Sequence, residues 1–334
     1  MQPKYRDVRP AATICPNNKL YYVLNRRIYS HDFQSEIQSE TDPLVDINCM
    51  GKEDLDQVSR SSLEKEPMLL IYNTFDPSSV KMLVYWEGTG GEGCYEIVIV
   101  HANGQENWRE VIQTNICSCV GPPCFINHDQ FAVLDLERKH ILIKDMRNET
   151  VTVIDQSFSL SQRSGIFSGG GKGKLIIRID NNAILFSVES NVILGEINVP
   201  EMTNAVWAND SSKVAILCKY GLIIADAQMK QLVSVGEKVK IWSGTWDASP
   251  SGGSANEMFV YTTLHHIKYC IVACEEIGII QPLNKALYAM KVVKDKLFGI
   301  SRDGLPQIIS IDTTGVLFKL YVLKKKVWTS SSSI

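Results

Sequence analysis

A chain of 334 residues, 45% hydrophobic and 21% charged, can bury a large core, enough for two average domains or one large all-β or α/β domain. Its formal charge of -3 excludes a general electrostatic pull toward nucleic acid or an anionic membrane, so partners must be recognised by local surfaces. The longest apolar runs, such as EIVIV at 96–100, fall far short of the roughly 20 residues of a membrane-spanning helix.

The opening MQPKYRDVRP lacks an apolar signal core, and the nine cysteines are irregularly spaced. That usage suits free thiols in a reducing compartment better than a disulfide framework, so a cytosolic chain is expected. Asn148-Glu149-Thr150 and Asn209-Asp210-Ser211 fit the glycosylation acceptor pattern and, with no secretory signal, read as turns.

Taken from the N-terminus, ATIC, KLYYVL, RIYSHDF and PLVDI are four short strands rich in β-branched and aromatic residues. Segment 35–66 carries nine acidic and three basic residues, a net -6, and is expected to be an insertion whose polar second half has too little apolar surface to offset the entropy of ordering. LLIYNTFDPSSVKMLVYW (69–86) reads as strand, turn on Phe75-Asp76-Pro77-Ser78-Ser79, and strand. Gly88-Thr89-Gly90-Gly91-Glu92-Gly93 then fits G-x-G-x-x-G, but CYEIVIV after it reads as a strand where a pyrophosphate site needs a helix N-terminus. A hairpin loop is expected instead.

Cys117, Cys119, Cys124 and His128 offer four soft donors, yet C-x-C is tighter than the C-x(2–4)-C of structural zinc sites, and ordinary core or loop thiols are expected. CFINHDQFAVLD (124–135) is followed by HILIKD and TVTVID, and GIFSGGGKGKLIIRID (165–180) by AILFSV and VILGEI. Within the latter, Ser168 to Lys174 resembles a phosphate loop, but neither lysine has glycine at both required offsets and a strand follows, so it reads as a hairpin turn. AVWANDSSKVAILCKYGLIIAD (205–226), SGTWDASPSGGSANEMFVYTT (243–263) and ALYAMKVVKDKLFGIS (286–301) repeat the same strand–turn–strand phrase. Cys270 and Cys274 read as core packing, and His265 with His266, in a turn, lacks any accompanying nucleophile. FKLYVL (318–323) is expected to be the last strand, and Lys324-Lys325-Lys326 begins a flexible basic and serine-rich tail over 324–334.

Unit starts near 123, 164, 204, 241 and 286 are 41, 40, 37 and 45 residues apart, the period of a four-stranded propeller blade. Two earlier units, from about residues 11 and 68, bring the expected total to seven. The expected fold is therefore all-β, a seven-bladed β-propeller with degenerate WD40-like repeats, one domain over 1–323. Whether the first unit supplies all its own strands or exchanges one with the last stays open.

QFAVLDLERKHILIKDMRNE (130–149), AVWANDSSKVAIL (205–217), VKIWSGTWD (239–247), FVYTTLHHIKYCIV (259–272), GIIQPL (278–283) and FKLYVL (318–323) together resemble, in order, the second β-propeller of the alpha-subunit family of coatomer. LYYVLNRRIYSHDFQ and IYNTFDPSSVKMLVY fit its opening blades more loosely. HHIKYCIVACEEIGIIQPL is closer to the alpha pattern than to that of the related beta-prime subunit, whose second propeller is the alternative. The acidic insertion and the glycine-rich hairpin depart from the family pattern.

The resemblance implies a non-catalytic scaffold of the coat that supports Golgi-to-ER retrograde and intra-Golgi transport, cytoplasmic and peripheral on Golgi membranes and coated vesicles. It implies other coatomer subunits as partners, notably beta-prime and epsilon, with a small GTPase and cargo tails engaged through the assembled coat, and no nucleic acid. Dilysine recognition belongs chiefly to the family's first propeller, to which nothing here corresponds, so a fragment of a longer protein is expected and no binding residue is assigned. No catalytic residue, cofactor or metal ligand is assigned either. A cargo-tail receptor and a propeller hydrolase are the competing functional classes.

Overall fold

A computed structural model describes residues 11–15, 18–24, 27–33, 45–46, 67–76, 79–87, 92–102, 109–113, 116–135, 140–154, 158–161, 163–248 and 256–331. The chain divides into two compact units, residues 1–194 and 195–334.

The first unit opens with the sheet β1 (Ala12–Ile14), β2 (Lys19–Leu24), β3 (Arg27–Asp32) and β4 (Val45–Asp46), paired in that order. The second sheet holds β5 (Leu69–Tyr72), β6 (Val80–Glu87), β7 (Glu92–Ala102) and β8 (Arg109–Gln113), with β9 (Cys117–Val120) on the N-terminal half of β7. The third runs β10 (Cys124–Phe125), β11 (Gln130–Asp135), β12 (His140–Asp145) and β13 (Thr150–Ile154). The fourth runs β14 (Gly165–Ser168), β15 (Lys174–Ile179), β16 (Asn182–Ser187) and β17 (Val192–Asn198).

The second unit continues with β18 (Met202–Trp207), β19 (Lys213–Cys218), β20 (Gly221–Asp226) and β21 (Gln231–Gly236). Next come β22 (Ser243–Trp246), β23 (Met258–Thr262), β24 (His266–Ile271) and β25 (Glu276–Pro282), then a three-stranded sheet of β26 (Leu287–Val293), β27 (Lys296–Ser301) and β28 (Pro306–Ser310). Helix α1 (Thr314–Ser331) follows. The described residues thus form seven antiparallel sheets, and the fold is the all-β, seven-bladed propeller class that the repeat period indicates.

Each core cluster is built from two successive sheets. Met82, Val84 and Trp86 of β6 pack with Tyr21, Val23 and Ile28 of the sheet before, while Leu83 and Tyr85 pack with Phe125, Phe131 and Val133 of the sheet after. In β23, Phe259 and Tyr261 join the cluster of Ala215 and Leu217, and Met258 and Val260 join that of Leu287 and Leu297. The period of two is what lets one strand serve both neighbours, and a one-residue slip would exchange every partner. Middle strands are accordingly apolar at most positions, as in KVAILC of β19, buried from Val214 to Cys218, whereas outer β13 exposes Val151 and Val153.

The turns follow the expected side-chain chemistry. Asp145 Oδ1 accepts the N–H groups of Arg147 and Glu149 at 2.9 and 2.8 Å. Asp226 Oδ1 does the same for Gln228 and Lys230 at 2.9 Å each, and Asn148 and Met229 complete these two turns at φ 68° and 64°. Asp and Asn cap turns because their short side chains reach backbone two residues on.

Several expectations change or sharpen. FKLYVL is not a strand: it lies within α1, where Val316 and Leu320, four residues apart, bury into the cluster of the last two sheets while Phe318 and Tyr321 are exposed. That spacing is helical, and Asp312 Oδ1 accepts the Thr314 N–H at 2.9 Å to start the turn. The helix runs on through Lys324–Lys326 to Ser331 in place of the expected tail, and 332–334 lie outside the described residues. The last sheet therefore has three strands among the described residues, and its third, β28, exposes Gln307 and Ile308 as outer strands do. At the other end of the chain, Ala12 pairs with Tyr22 and Ile14 with Leu20, so the first sheet contains its own first strand. Of the acidic insertion, only Val45–Asp46 is described, as β4.

Among the described residues two acidic side chains are buried in this frame, Glu96 and Asp247. Glu96 of β7, opposite Val84, is 2% exposed, and its Oε2 has no hydrogen-bond partner. Burial pushes its carboxyl up to about 8. The native state then holds a proton that the unfolded chain has released above about 4.5, so stability falls as pH rises from about 4.5 to 8. Glu96→Gln is expected to match the parent near pH 5 and exceed it by a few kcal/mol at pH 9 in urea unfolding. Parallel stability–pH curves for the two proteins would refute the assignment.

Candidate functional site

Strand alternation in the second unit brings the β19–β20, β23–β24 and β27–β28 hairpins to one end of its sheets, together with the β21–β22 and β25–β26 connections. These segments are stitched to each other by backbone. The N–H groups of Glu237 and Ile241 donate to the carbonyls of Tyr220 and Lys219 at 2.9 and 3.0 Å, and Trp242 N–H donates to Thr262 at 2.9 Å. One sheet further on, Leu283 N–H donates to His265 at 2.7 Å and Arg302 N–H to Ala286 at 3.2 Å.

Trp242 lies at the centre of this end, half-buried. Its ring meets Tyr288 edge-on at 5.3 Å, with Lys240 Nζ 5.1 Å and the Arg302 guanidinium 6.0 Å from its centroid. A cation over an indole face is attracted by the ring quadrupole, more so where water is partly excluded. Lys219 stands 5.1 Å from the ring of Tyr220. Beneath Trp242 runs a buried hydroxyl chain. Ala289 N–H donates to Ser243 Oγ at 2.6 Å, and Thr262 Oγ1 donates to the Leu287 carbonyl at 2.8 Å. The Ser243–Thr262 contact of 3.0 Å must then carry the serine proton, because the threonine proton is already given to Leu287. Two sheets are thereby locked together under the surface.

The charges around this centre are unevenly matched. Glu237 accepts a hydrogen bond from Tyr261 Oη at 2.6 Å and pairs with Lys268. Burial, reinforced by that bond to Glu237, pushes the Tyr261 phenol well above its ordinary range. Lys285 and Asp303 are 3.9 Å apart and largely exposed, a contact of little energetic weight. Exposed Lys219 and Lys238, with half-buried Lys240 and Arg302, complete a cationic, aromatic surface.

The opposite end of the same unit has a different character. A cavity of about 650 Å³ opens beside the N-terminus of α1, lined by Asp247, Asp295, Asp312, Lys294, Gln281 and Leu317 among others. Hydrogen bonds from Thr314 hold the Asp312 carboxyl below its usual range. Lys319 of α1 pairs with Glu276, and Phe318 and Tyr321 project from the helix, 67% and 58% exposed.

The residues singled out in the sequence do not converge on one centre. Gly88–Gly91 lie outside the described residues, but Glu87 pairs with Gly93 across β6 and β7, so strands flank the segment on both sides. Gly93 itself tolerates no side chain, since a Cβ would meet the Trp86 carbonyl at 2.4 Å. Ser168 to Lys174 closes the β14–β15 hairpin, with Gly170 and Gly173 at φ 74° and 68°. Cys117 accepts from Asn148 Nδ2 at 2.6 Å, Cys119 is buried with Tyr85 and Tyr95, and Cys124 belongs to another cluster. Burial pushes the Cys124 and Cys270 thiols up to about 12. His128 is exposed, 2.8 Å from Asp129, His265 lies in the β23–β24 turn and His266 is the first residue of β24. Among the described residues no three or more His, Cys, Asp or Glu side chains gather as a metal site. The side chains of Lys324–Lys326 lie outside the described residues.

The Trp242 cluster was missed by sequence reading. K-V-K-I-W at 238–242 shows two cations and an indole at alternating positions, but nothing in sequence brings Arg302 to the same ring.

The family described as COPA/B second beta-propeller matches residues 50–301. Coatomer subunit alpha-2 of Arabidopsis thaliana is 29% identical over 323 residues, covering 97% of this chain and 24% of that relative. Coatomer subunit alpha-1 of Oryza sativa subsp. japonica is 28% identical over 325 residues, with the same coverage. A putative coatomer subunit alpha of Schizosaccharomyces pombe is 25% identical, covering 96% of the chain and 24% of the relative. The chain thus spans about a quarter of the length of the curated relatives it matches. Among solved structures, a chain of a mitotic checkpoint complex superposes with a TM-score of 0.60 at 11% identity, covering 90% of both chains. Sqt1 from Chaetomium thermophilum does so at 0.57 and 8%, covering 90% of this chain and 82% of that one. These two likenesses concern the fold alone.

Ser243→Ala would remove an acceptor for the Ala289 N–H and a donor to Thr262 inside a buried chain. A loss of about 1–3 kcal/mol is expected in denaturant unfolding; a change within experimental scatter would show that the hydroxyl chain does not hold these sheets.

Proposed function

Because the chain belongs to the COPA/B second beta-propeller family, we propose that it acts as a non-catalytic docking module of the coatomer coat, using the Trp242 end of its second unit to hold other coat subunits. The observation that carries this reading is the combination there of a locked support and an unevenly charged aromatic surface. Interfaces concentrate binding energy in Trp, Tyr and Arg on rigid platforms, and Trp242, Tyr220 and Arg302 stand on backbone fixed by the stitches to Thr262 and Ala286. On this reading residues 1–323 serve as one propeller domain. The partners are other coatomer subunits, with beta-prime and epsilon the expected neighbours, and the small GTPase and cargo tails are reached through the assembled coat. The setting is cytoplasmic and peripheral on Golgi membranes, in retrograde and intra-Golgi transport.

A second reading draws on the cavity at the other end. Asp247, Asp295 and Asp312 form a lining that suits a cationic tail, the chemistry a dilysine receptor requires. The first reading is preferred because Asp312 is already engaged with the Thr314 N–H and Lys294 shares the lining.

Charge reversal in the full-length subunit separates the two. Lys238→Glu with Arg302→Glu is expected to release at least one coat subunit on co-purification while the chain stays folded, with at most a small drop in thermal midpoint from the lost Arg302–Trp242 contact; an intact subunit composition would refute docking through this end. Asp295→Asn with Asp312→Asn is expected to leave coat composition unaltered. Micromolar binding of a dilysine-ended peptide that this second variant abolishes would install the cargo-tail reading instead.

A further inference from the structure

The geometry points to an extended acidic peptide, with apolar side chains at every third position, as the ligand of the Trp242 end. This rests on the docking reading above and names the chemistry of what docks.

The three hairpins at this end are equivalent, each joining the second and third strands of its sheet. Each presents an exposed apolar side chain: Tyr220 at 50%, Leu264 at 40% and Leu305 at 53%. Between them lie the two connections, and these carry cations: Lys238 and Lys240 between the first and second hairpins, Lys285 between the second and third. Arg302 adds a fourth beside Trp242. The surface therefore alternates apolar tip and cation, sheet by sheet. Packed sheets lie about 10 Å apart, and a chain extended as polyproline II rises about 3.1 Å per residue with three residues per turn, so one turn of ligand spans one sheet spacing and every third side chain faces the same way. A ligand that meets all three tips places an apolar side chain at each third residue and leaves two positions between them facing the cations.

Charge fixes what those positions hold. Against Lys219, Lys238, Lys240, Lys285 and Arg302 the loops at this end set Glu201, Glu237 and Asp303. Glu237 is occupied by Lys268 and Tyr261. Carboxylates on the ligand meet this surplus, whereas lysines would be repelled. Anionic lipid is the weaker match. Val239, 44% exposed between Lys238 and Lys240, adds one apolar side chain to the three hairpin tips, but Glu201 and Asp303 stand among them and Trp242 packs against Tyr288.

The probe is a fluorescein-labelled decapeptide LEDLEDLEDL, compared by anisotropy with its uncharged counterpart LQNLQNLQNL on the whole chain. Binding in the range of about 10 µM is expected at low salt, weakening at least tenfold as salt rises from about 50 to about 500 mM, because exposed charges are screened over about 10 Å at 0.1 M. At least tenfold loss is also expected for the uncharged peptide and for Lys240→Glu with Arg302→Glu. Lys219→Glu with Lys238→Glu, both exposed, gives the same test without touching the indole. Lys230→Glu, in the β20–β21 turn at the opposite end, should bind as the parent does. Equal binding of both peptides, or undiminished binding by the end-face variants, overturns the proposal. So does preferential binding to phosphatidylcholine vesicles containing about one-fifth phosphatidylserine. If the peptide fails while Lys238→Glu with Arg302→Glu still releases coat subunits, the ligand class falls and the docking reading stands.

Discussion

The sheets built around β6 and β23 each have two apolar faces and can bury neither alone. That constraint, more than any single contact, shapes the chain. β6 sends Met82, Val84 and Trp86 one way and Leu83 and Tyr85 the other; β23 divides Phe259 and Tyr261 from Met258 and Val260 in the same manner. Burial is cheap for these two strands because the sheets before and after them supply the opposing surface, and an apolar area of this kind contributes about 25 cal/mol per Å² removed from water. A polar group placed in the frame is correspondingly exposed to its energetics, as Glu96 is, with a carboxyl that stays protonated well above the ordinary range.

The same constraint explains what was legible in the sequence. Strands that serve two neighbours must be apolar at nearly every position, so KVAILC, MFVYT and QFAVLD announce themselves without alternation, and Asp or Asn marks the turns between them. Asp145 and Asp226 each cap a turn with the same pair of bonds. The period of these phrases then gives the propeller. FKLYVL misled for a physical reason: over six residues an apolar run fits a strand and a helix alike. Only the burial of Val316 with Leu320, and the exposure of Phe318 and Tyr321, separates them.

The end face was far less legible. Its parts come from positions 219–220, 237–242, 263–265, 285 and 302–305, and no local pattern joins them. Lys240 and Trp242 are two residues apart, but Arg302 reaches the same indole from a different sheet. Loops of a repeat fold differ where the strands do not, because strands answer to a shared burial problem and loops answer to whatever they meet. The hydroxyl chain of Ser243, Thr262 and Leu287 is equally invisible in sequence, though it fixes the platform from below.

Within the second unit, the proposed docking role rests on a division of labour: packed strands fix the positions, and short stitched loops at one end carry charge and the exposed ring of Tyr220 outward. The most direct measurement is backbone hydrogen exchange of the full-length subunit, free and in the assembled coat. Slowed exchange on assembly concentrated at residues 219–220, 237–242 and 302–305 is the predicted result. Protection confined to other segments, with these loops exchanging as fast in the coat as outside it, would contradict docking through this end.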